Sequence, residues 1–449
     1  MKGEFFFGVW NVVSRGIGFF NTLIVLSQLT IYQYGVFQLI LTSFSGLAVF
    51  MGFGGETIRN DILRYVGVRN YEYAKKLFWE SSVFRLVIAV ILWAGVFFGA
   101  PLFFTQYSPE FIVYIKIISF LFLHDAILPS FRLILESEKK FNLIASRASL
   151  GRFIQLGIVA YFYFFAVVGL KEVILSIVIS SFVSLAIVAV SVITLYVKSW
   201  KPVRSVQHAL IYSVLFSYGK WELLRPVAGK VVDFVQVWVT KIFIGTEAVA
   251  IFSVAQTMLG TLANLFPVNT LSALVPLHVA DKEKLQKIYN VGSKYLVIFS
   301  IAIGLVGLVL APPFIYLFFP KYAASLPYFS VLLVTLPISA LSIVASIFLT
   351  VYRKQGFLLV QKLLKGLIGA ILYVVFIPWF GMWGLVLQVI VLSIILYAIL
   401  HTYLLRARLD VALDWKYMVR FDDSDREFLR NVYADIKKVV KRRMPSRIS

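Results

Sequence analysis

The sequence predicts an all-α polytopic membrane protein of about twelve transmembrane helices, and three observations carry that prediction. The 449-residue chain is 60% hydrophobic and only 14% charged, with a mean hydropathy of +0.87, a balance that excludes a string of water-soluble domains. Apolar runs of about 20 residues, the length that crosses a hydrocarbon core of roughly 30 Å, recur along the whole chain. Lys and Arg gather in every second connection between those runs, the alternation expected when each run is a real span.

The first run, near 5–31, is too long for a signal-peptide core and ends without a small-residue cleavage pattern, so it is expected to stay as a span. Runs near 36–55, 83–104, 111–131, 147–169 and 172–197 complete a first set of six. A second set lies near 221–243, 248–277, 294–319, 326–350, 357–378 and 382–404. Phe and Leu lie on every face of these runs, with Gly and Pro inside them, which fits helices in lipid rather than amphipathic surface helices. The second connection carries Arg59, Arg64, Arg69, Lys75 and Lys76, the fourth Arg132, Lys139 and Lys140, and the sixth Lys198, Lys201 and Arg204. Lys282, Lys284 and Lys287 mark the eighth and Arg353 and Lys354 the tenth, whereas the odd-numbered connections are almost bare. Both termini are therefore expected on the cytoplasmic side. The predicted organisation is a six-helix lobe over 1–200, a cytoplasmic linker over 201–220, a second six-helix lobe over 221–405 and a basic tail over 406–449. In the tail, Phe428, Leu429, Val432, Tyr433, Ile436, Val439 and Val440 share a helical face beside Lys437, Lys438 and Lys441–Arg443. That pattern suits a helix on the anionic inner leaflet, with a disordered solubilising tail as the alternative.

The formal charge of +21 needs no nucleic acid to explain it, because orientation and lipid headgroups account for basic loops. Zero cysteines exclude disulfides, thiolate metal sites and cysteine nucleophiles. Four scattered histidines form no metal cluster, and no nucleophile has a base beside it in sequence, so neither an enzyme nor a cofactor is expected. The segment Met51–Glu56 is glycine-rich but lacks the GK[ST] of a phosphate loop. Pro267 and Pro276, in the eighth run, are candidate hinges.

An internal repeat is visible: Gly8, Trp10 and Gly18 of the first run recur 211 residues on as Gly219, Trp221 and Gly229. Such parallel halves place a site between them. Charges inside spans cost roughly 2.5–3.5 kcal/mol each, so each needs a partner, a watery cavity or a function. Arg15 lies in the first run, and Arg225, Lys230 and Asp233 lie in the seventh, where Lys230 and Asp233 share a face. Arg15, Arg225 and Lys230 are the candidate substrate-binding set, a cationic cavity suited to phosphate; the alternative is a structural pair of Arg15 with Glu56. Asp233, Glu56 and Asp125 are the candidates for carrying a coupling ion or for ion pairs, Asp125 with Arg152 in the structural reading. Arg85, Arg147, Lys362 and Lys365, near span ends, read as interface anchors.

The stretch Tyr34-Gly35-Val36-Phe37, the later Gly52-Phe53-Gly54 and the basic segment with Arg59 and Arg64 resemble the start of O-antigen (Wzx-type) polysaccharide flippases. The run Glu247–Ala255 resembles their turn into the eighth span. The resemblance implies the multidrug/oligosaccharidyl-lipid/polysaccharide exporter superfamily and its MATE-like fold of two six-helix lobes around a central cavity. It implies a flippase carrying a polyprenyl-(pyro)phosphate-linked oligosaccharide across the cell membrane by alternating access, with Arg15 where a cavity base is expected. The implied partners are the lipid-linked sugar, membrane lipids and a coupling cation, proton or sodium, acting on a monomeric unit. Two alternatives stand beside it: a cation-coupled drug or metabolite exporter of the same fold, and a non-transporting scaffold of an envelope polysaccharide complex.

Overall fold

The computed structural model describes residues 16–52, 55–104, 107–165, 167–214, 220–268, 271, 275, 281–352, 355–406, 413–414, 417–418 and 420. Among them there are helices and no strand. The first half comprises α1 (Gly16–Gln28), α2 (Ile31–Ala48), α3 (Gly55–Gly67), α4 (Tyr71–Phe103), α5 (Pro109–Ser119), α6 (Leu121–Ser137), α7 (Phe141–Phe165) and α8 (Leu170–Leu195). The second half comprises α9 (Lys220–Phe243), α10 (Thr246–Ala263), α11 (Lys282–Phe318), α12 (Leu326–Leu332), α13 (Thr335–Val351), α14 (Gln355–Phe380) and α15 (Met382–Arg406).

Nine described spans are long and apolar enough to cross a membrane, and a tenth is the pair Pro320–Leu332 and Thr335–Val351, bent by 56°. The two expected spans outside that set are the first, described only from Gly16 onward, and the seventh, α9, which is a helix of 24 residues. Its apolarity is broken by Lys230, Asp233 and Lys241.

Caps rather than hydropathy set several helix starts. Thr30 Oγ1 accepts from the Gln33 N–H at 3.1 Å while Gln33 Oε1 accepts from the Thr30 N–H at 3.0 Å, so α2 begins five residues before its apolar run. Asn70 caps α4 twelve residues ahead of its run, and the added turns carry Lys75, Lys76 and Glu80 along the basic connection. Glu80 Oε2 accepts from the Leu210 and Ile211 N–H groups at 2.9 and 2.8 Å, and Lys75 Nζ donates to the Lys201 and Val203 carbonyls. These bonds tie the described part of the linker to the first half. The expected fourth span is two helices that meet at Phe120. In the expected eighth span, helix α10 ends at Ala263, ahead of Pro267, and Val268, Leu271 and Val275 beyond it are again helical. Pro276 and the tail from 421 onward, with its amphipathic face, lie outside the described residues.

Two turns on the basic side share one construction. Helices α3 and α6 each end in a paired turn, Asn70 N–H to Tyr65 O with Arg69 N–H to Val66 O, and Lys140 N–H to Leu135 O with Lys139 N–H to Glu136 O. The left-handed residue in each is Arg69 (φ 60°) or Lys139 (φ 55°), where glycine is usual. A cation there favours the helix C-terminus and keeps the loop basic.

The halves are sealed at the face opposite the basic connections. One buried apolar cluster runs across that bare face from Leu29, Tyr34 and Ile40 through Phe111 and Ile174 to Ala250, Ile315, Tyr322 and Ile377. Toward the basic face the buried residues separate into a first-half cluster around Ile62, Leu77 and Trp200 and a second-half cluster around Tyr289, Phe348 and Leu400. Polar contacts reinforce the seal: Lys321 Nζ donates to the Ser27 and Leu29 carbonyls at 2.7 Å each, and Lys241 Nζ bonds Tyr107 Oη at 2.5 Å. Trp238 Nε1 donates to Ser43 Oγ at 3.0 Å. Gly35 of α2 lies against the Thr246 carbonyl of α10, leaving no room for a side chain.

Candidate transport cavities

Arg15 lies outside the described residues, as do the side chains of Glu56 and Arg225. Lys230 and Asp233 do come together, Nζ to Oδ2 at 3.7 Å, as a half-exposed pair on α9. Asp125 meets its chain neighbour: His124 Nδ1 lies 2.8 Å from Asp125 Oδ1, and the imidazole packs edge-on to Phe182. Arg152 faces α1 instead, with its guanidinium against Gly18.

The repeat is visible in these contacts. Gly18 on α1 lies under the guanidinium of Arg152 on α7, and Gly229 on α9 lies under the ammonium of Lys362 on α14, 3.2 Å from where a β-carbon would sit. The two glycines are 211 residues apart and the two cations 210. Each half therefore seats a cation on a bare strip of backbone that only a small residue leaves open.

The first half holds a cavity of about 470 Å³ in the part of the lobe nearest the basic face. Arg59 of α3, Arg85 of α4, Arg132 of α6 and Arg147 of α7 all line it, so four helices each contribute one arginine. Glu136, itself buried, neutralises part of the cluster. Arg59 binds it through two bonds, Nε to Oε2 at 2.6 Å and Nη2 to Oε1 at 3.0 Å, and Arg132 Nε adds a third at 2.8 Å. Arg85 is 4% exposed. Arg147 Nη1 is buried with no hydrogen-bond partner. Arg85 and Arg147, expected as interface anchors, both line this cavity instead. A guanidinium N–H left without an acceptor in a low-dielectric site is costly, and phosphate, like carboxylate, offers oxygens that its planar fork fits.

The second half holds a larger cavity, about 690 Å³, reaching from mid-depth toward the basic face. Lys362 and Lys365, expected as anchors, line it. Amides and hydroxyls supply most of its polar groups, and among the described residues no carboxylate lines either cavity.

No protein-family model matches the chain, and no curated protein matches it by sequence. Solved structures match over nearly its whole length. An inward-facing conformation of a multidrug resistance MATE family transporter of the MOP superfamily superposes with a TM-score of 0.74 at 15% identity, covering 90% of this chain and 94% of that one. The fold is MATE-like. The lipid II flippase MurJ in an inward closed conformation gives a TM-score of 0.72 at 14% identity over 92% of this chain and 89% of that one. A MOP superfamily transporter from Pyrococcus furiosus, described as having a binding pocket of reverse polarity, gives 0.62 at 15% identity over 91% and 96%. The chain is thus a multi-pass membrane protein with the architecture of transporters and a flippase.

Proposed function

We propose that the chain is a flippase of the cell membrane that moves an oligosaccharide, linked through phosphate or pyrophosphate to a polyprenyl lipid, from the inner leaflet at its basic face to the outer leaflet. Such a step serves cell-surface polysaccharide or glycan biosynthesis. The observation that carries the reading is the arginine cavity, in which four guanidinium groups converge and the buried Nη1 of Arg147 has no partner. Similarity of fold to the lipid II flippase MurJ supports the same class of cargo. In this reading Arg15, Arg225 and Lys230 extend the positive surface from the first and seventh spans toward the space between the lobes. The lipid tail stays in the bilayer while the lobes rock, driven by the membrane potential or by an ion moving through Asp233, Asp125 or Glu56. A cation-coupled drug exporter would need acidic groups in its cavity, and the described linings have none.

The test compares binding and flipping of a polyprenyl pyrophosphate with those of the matching polyprenol. Arg147→Ala should weaken pyrophosphate binding by about 10- to 100-fold, the worth of one hydrogen bond to a charged group, and leave polyprenol binding unchanged. Arg147→Lys should recover part, because the charge remains and the fork is lost. Arg15→Ala should behave likewise. Equal affinity of the wild type for the two lipids, or undiminished binding in both alanine variants, overturns the reading.

A further inference from the structure

The cavity of the second half has a chemistry that phosphate does not explain. Gln388, on α15, is 1% exposed, and its Oε1 has no hydrogen-bond partner. Gln236, on α9, has a buried Nε2 with no partner. Both side chains line the 690 Å³ cavity. Gly369 on α14 gives the Gln388 amide its room, since a β-carbon there would come within 3.3 Å of Nε2. The nearby hydroxyls are committed as donors: Ser346 to the Ser342 carbonyl at 2.7 Å, Thr350 to the Ser346 carbonyl at 2.8 Å and Ser393 to the Val389 carbonyl at 2.6 Å. Their oxygens keep lone pairs for a ligand.

An orphan acceptor and an orphan donor in one cavity narrow the ligand. A metal ion would satisfy only the amide oxygen, and among the described residues no carboxylate lines the wall to neutralise it. An anion would satisfy the amide N–H and the ammonium groups of Lys362 and Lys365, which also line the wall, but would leave the Gln388 oxygen without a donor. A hydroxyl donates and accepts at once, so a neutral polyhydroxylated molecule answers both amides and the row of serine and threonine oxygens. The volume lies within the range of small-ligand pockets, roughly 300–1,000 Å³. We infer that this cavity is a carbohydrate subsite, which under the flippase reading takes the glycan while the arginine cavity takes the phosphate.

Thermal unfolding of the purified full chain tests this with a panel of neutral disaccharides, N-acetylated ones included, and with sodium and potassium chloride as the cation arms. At least one disaccharide should raise Tm saturably in the wild type and in Arg147→Ala, and neither salt should do so. Gln388→Leu and Gln236→Leu should each abolish the sugar shift while melting, without sugar, at or above the wild-type Tm, because an unpaired buried group is removed. Leucine variants that melt lower would show the amides to be structural and overturn the inference. So would the absence of a saturable shift from any sugar, or a sodium shift that Gln388→Leu abolishes. Loss of pyrophosphate binding with the sugar shift intact would defeat the phosphate reading and leave this one standing, and the converse result would do the reverse.

Discussion

Under the proposed flippase function, alternating access requires the bare-face seal to open, and Gly35 is where a single atom tests it. Gly35 is buried early in α2, and a β-carbon placed on it would fall inside contact distance of the Thr246 carbonyl oxygen and 2.9 Å from the Thr246 carbonyl carbon and methyl. The obstacle is backbone at the first residue of α10, so no rotamer change relieves it, and the two helices must move apart. Overpacking of this kind costs about 1–3 kcal/mol. That cost falls on the sealed state and is absent once α2 and α10 separate, so Gly35→Ala should shift the equilibrium toward the bare-face-open state by about 5- to 150-fold. The chain has no cysteine, so spin labels attached through Glu110→Cys and Phe380→Cys report the distance between the halves at that face. Gly35→Ala in lipid nanodiscs should populate a longer distance. Gly157→Ala, at a glycine with open space around it, should leave the distribution as in wild type. An unchanged distribution in Gly35→Ala, with the protein folded, would refute the claim that this contact holds the seal.

Other consequences are shorter to state. Glu136→Gln should lower stability by about 2–3 kcal/mol, below the usual cost of breaking a buried ion pair because Arg59 and Arg132 are partly exposed; a detergent melt within error of wild type would contradict the triad's structural weight. Lys139→Gly should stabilise by up to about 1 kcal/mol by relieving the left-handed backbone, an effect measurable as a raised Tm, and a lowered Tm would show that the lysine's charge at the helix end outweighs the strain. Reporter fusions after residues near 107, 171, 246, 322 and 381 should read the outside and those after 70, 140, 203, 285 and 354 the inside; two or more reversals would sink the twelve-span topology.

Apolar length made the helices legible, because a run of about 20 residues has no other use in lipid. Their starts were less so: Thr30 with Gln33 and Asn70 are polar caps, invisible to a hydropathy window. Hydropathy also fixes depth without azimuth, which is why Arg85 and Arg147 read as anchors although they face a cavity. A signal was present one turn away, where Ser81 and Gly151 mark packed, small-residue faces of the same helices. The second cavity is built mostly from neutral groups. Its wall is the stripe Ser339, Ser342, Ser346 and Thr350, recurring every three or four residues on α13, and neutral polar groups cost too little in a span to stand out.

The two halves share a frame and differ in chemistry, and that difference bears on how a substrate could drive the cycle. Asn21 of α1 donates to the Gln155 amide oxygen of α7 at 3.5 Å, and 211 residues on Val232 of α9 packs on Gly366 of α14. The contact is repeated with polarity in one half and without it in the other. A ligand shifts a conformational equilibrium only through a difference in its affinity for the two states. A cargo held by one cavity in one lobe would ride with that lobe and make the same contacts before and after rocking. A cargo with a charged group in the arginine cavity and a neutral hydroxylated group in the amide cavity spans both lobes, so its two sets of contacts cannot both survive a change in the angle between them. Under the proposed flippase function, the guanidinium groups of one lobe and the amides of the other would together supply the differential binding that transport requires, most fully for a substrate that carries both kinds of group.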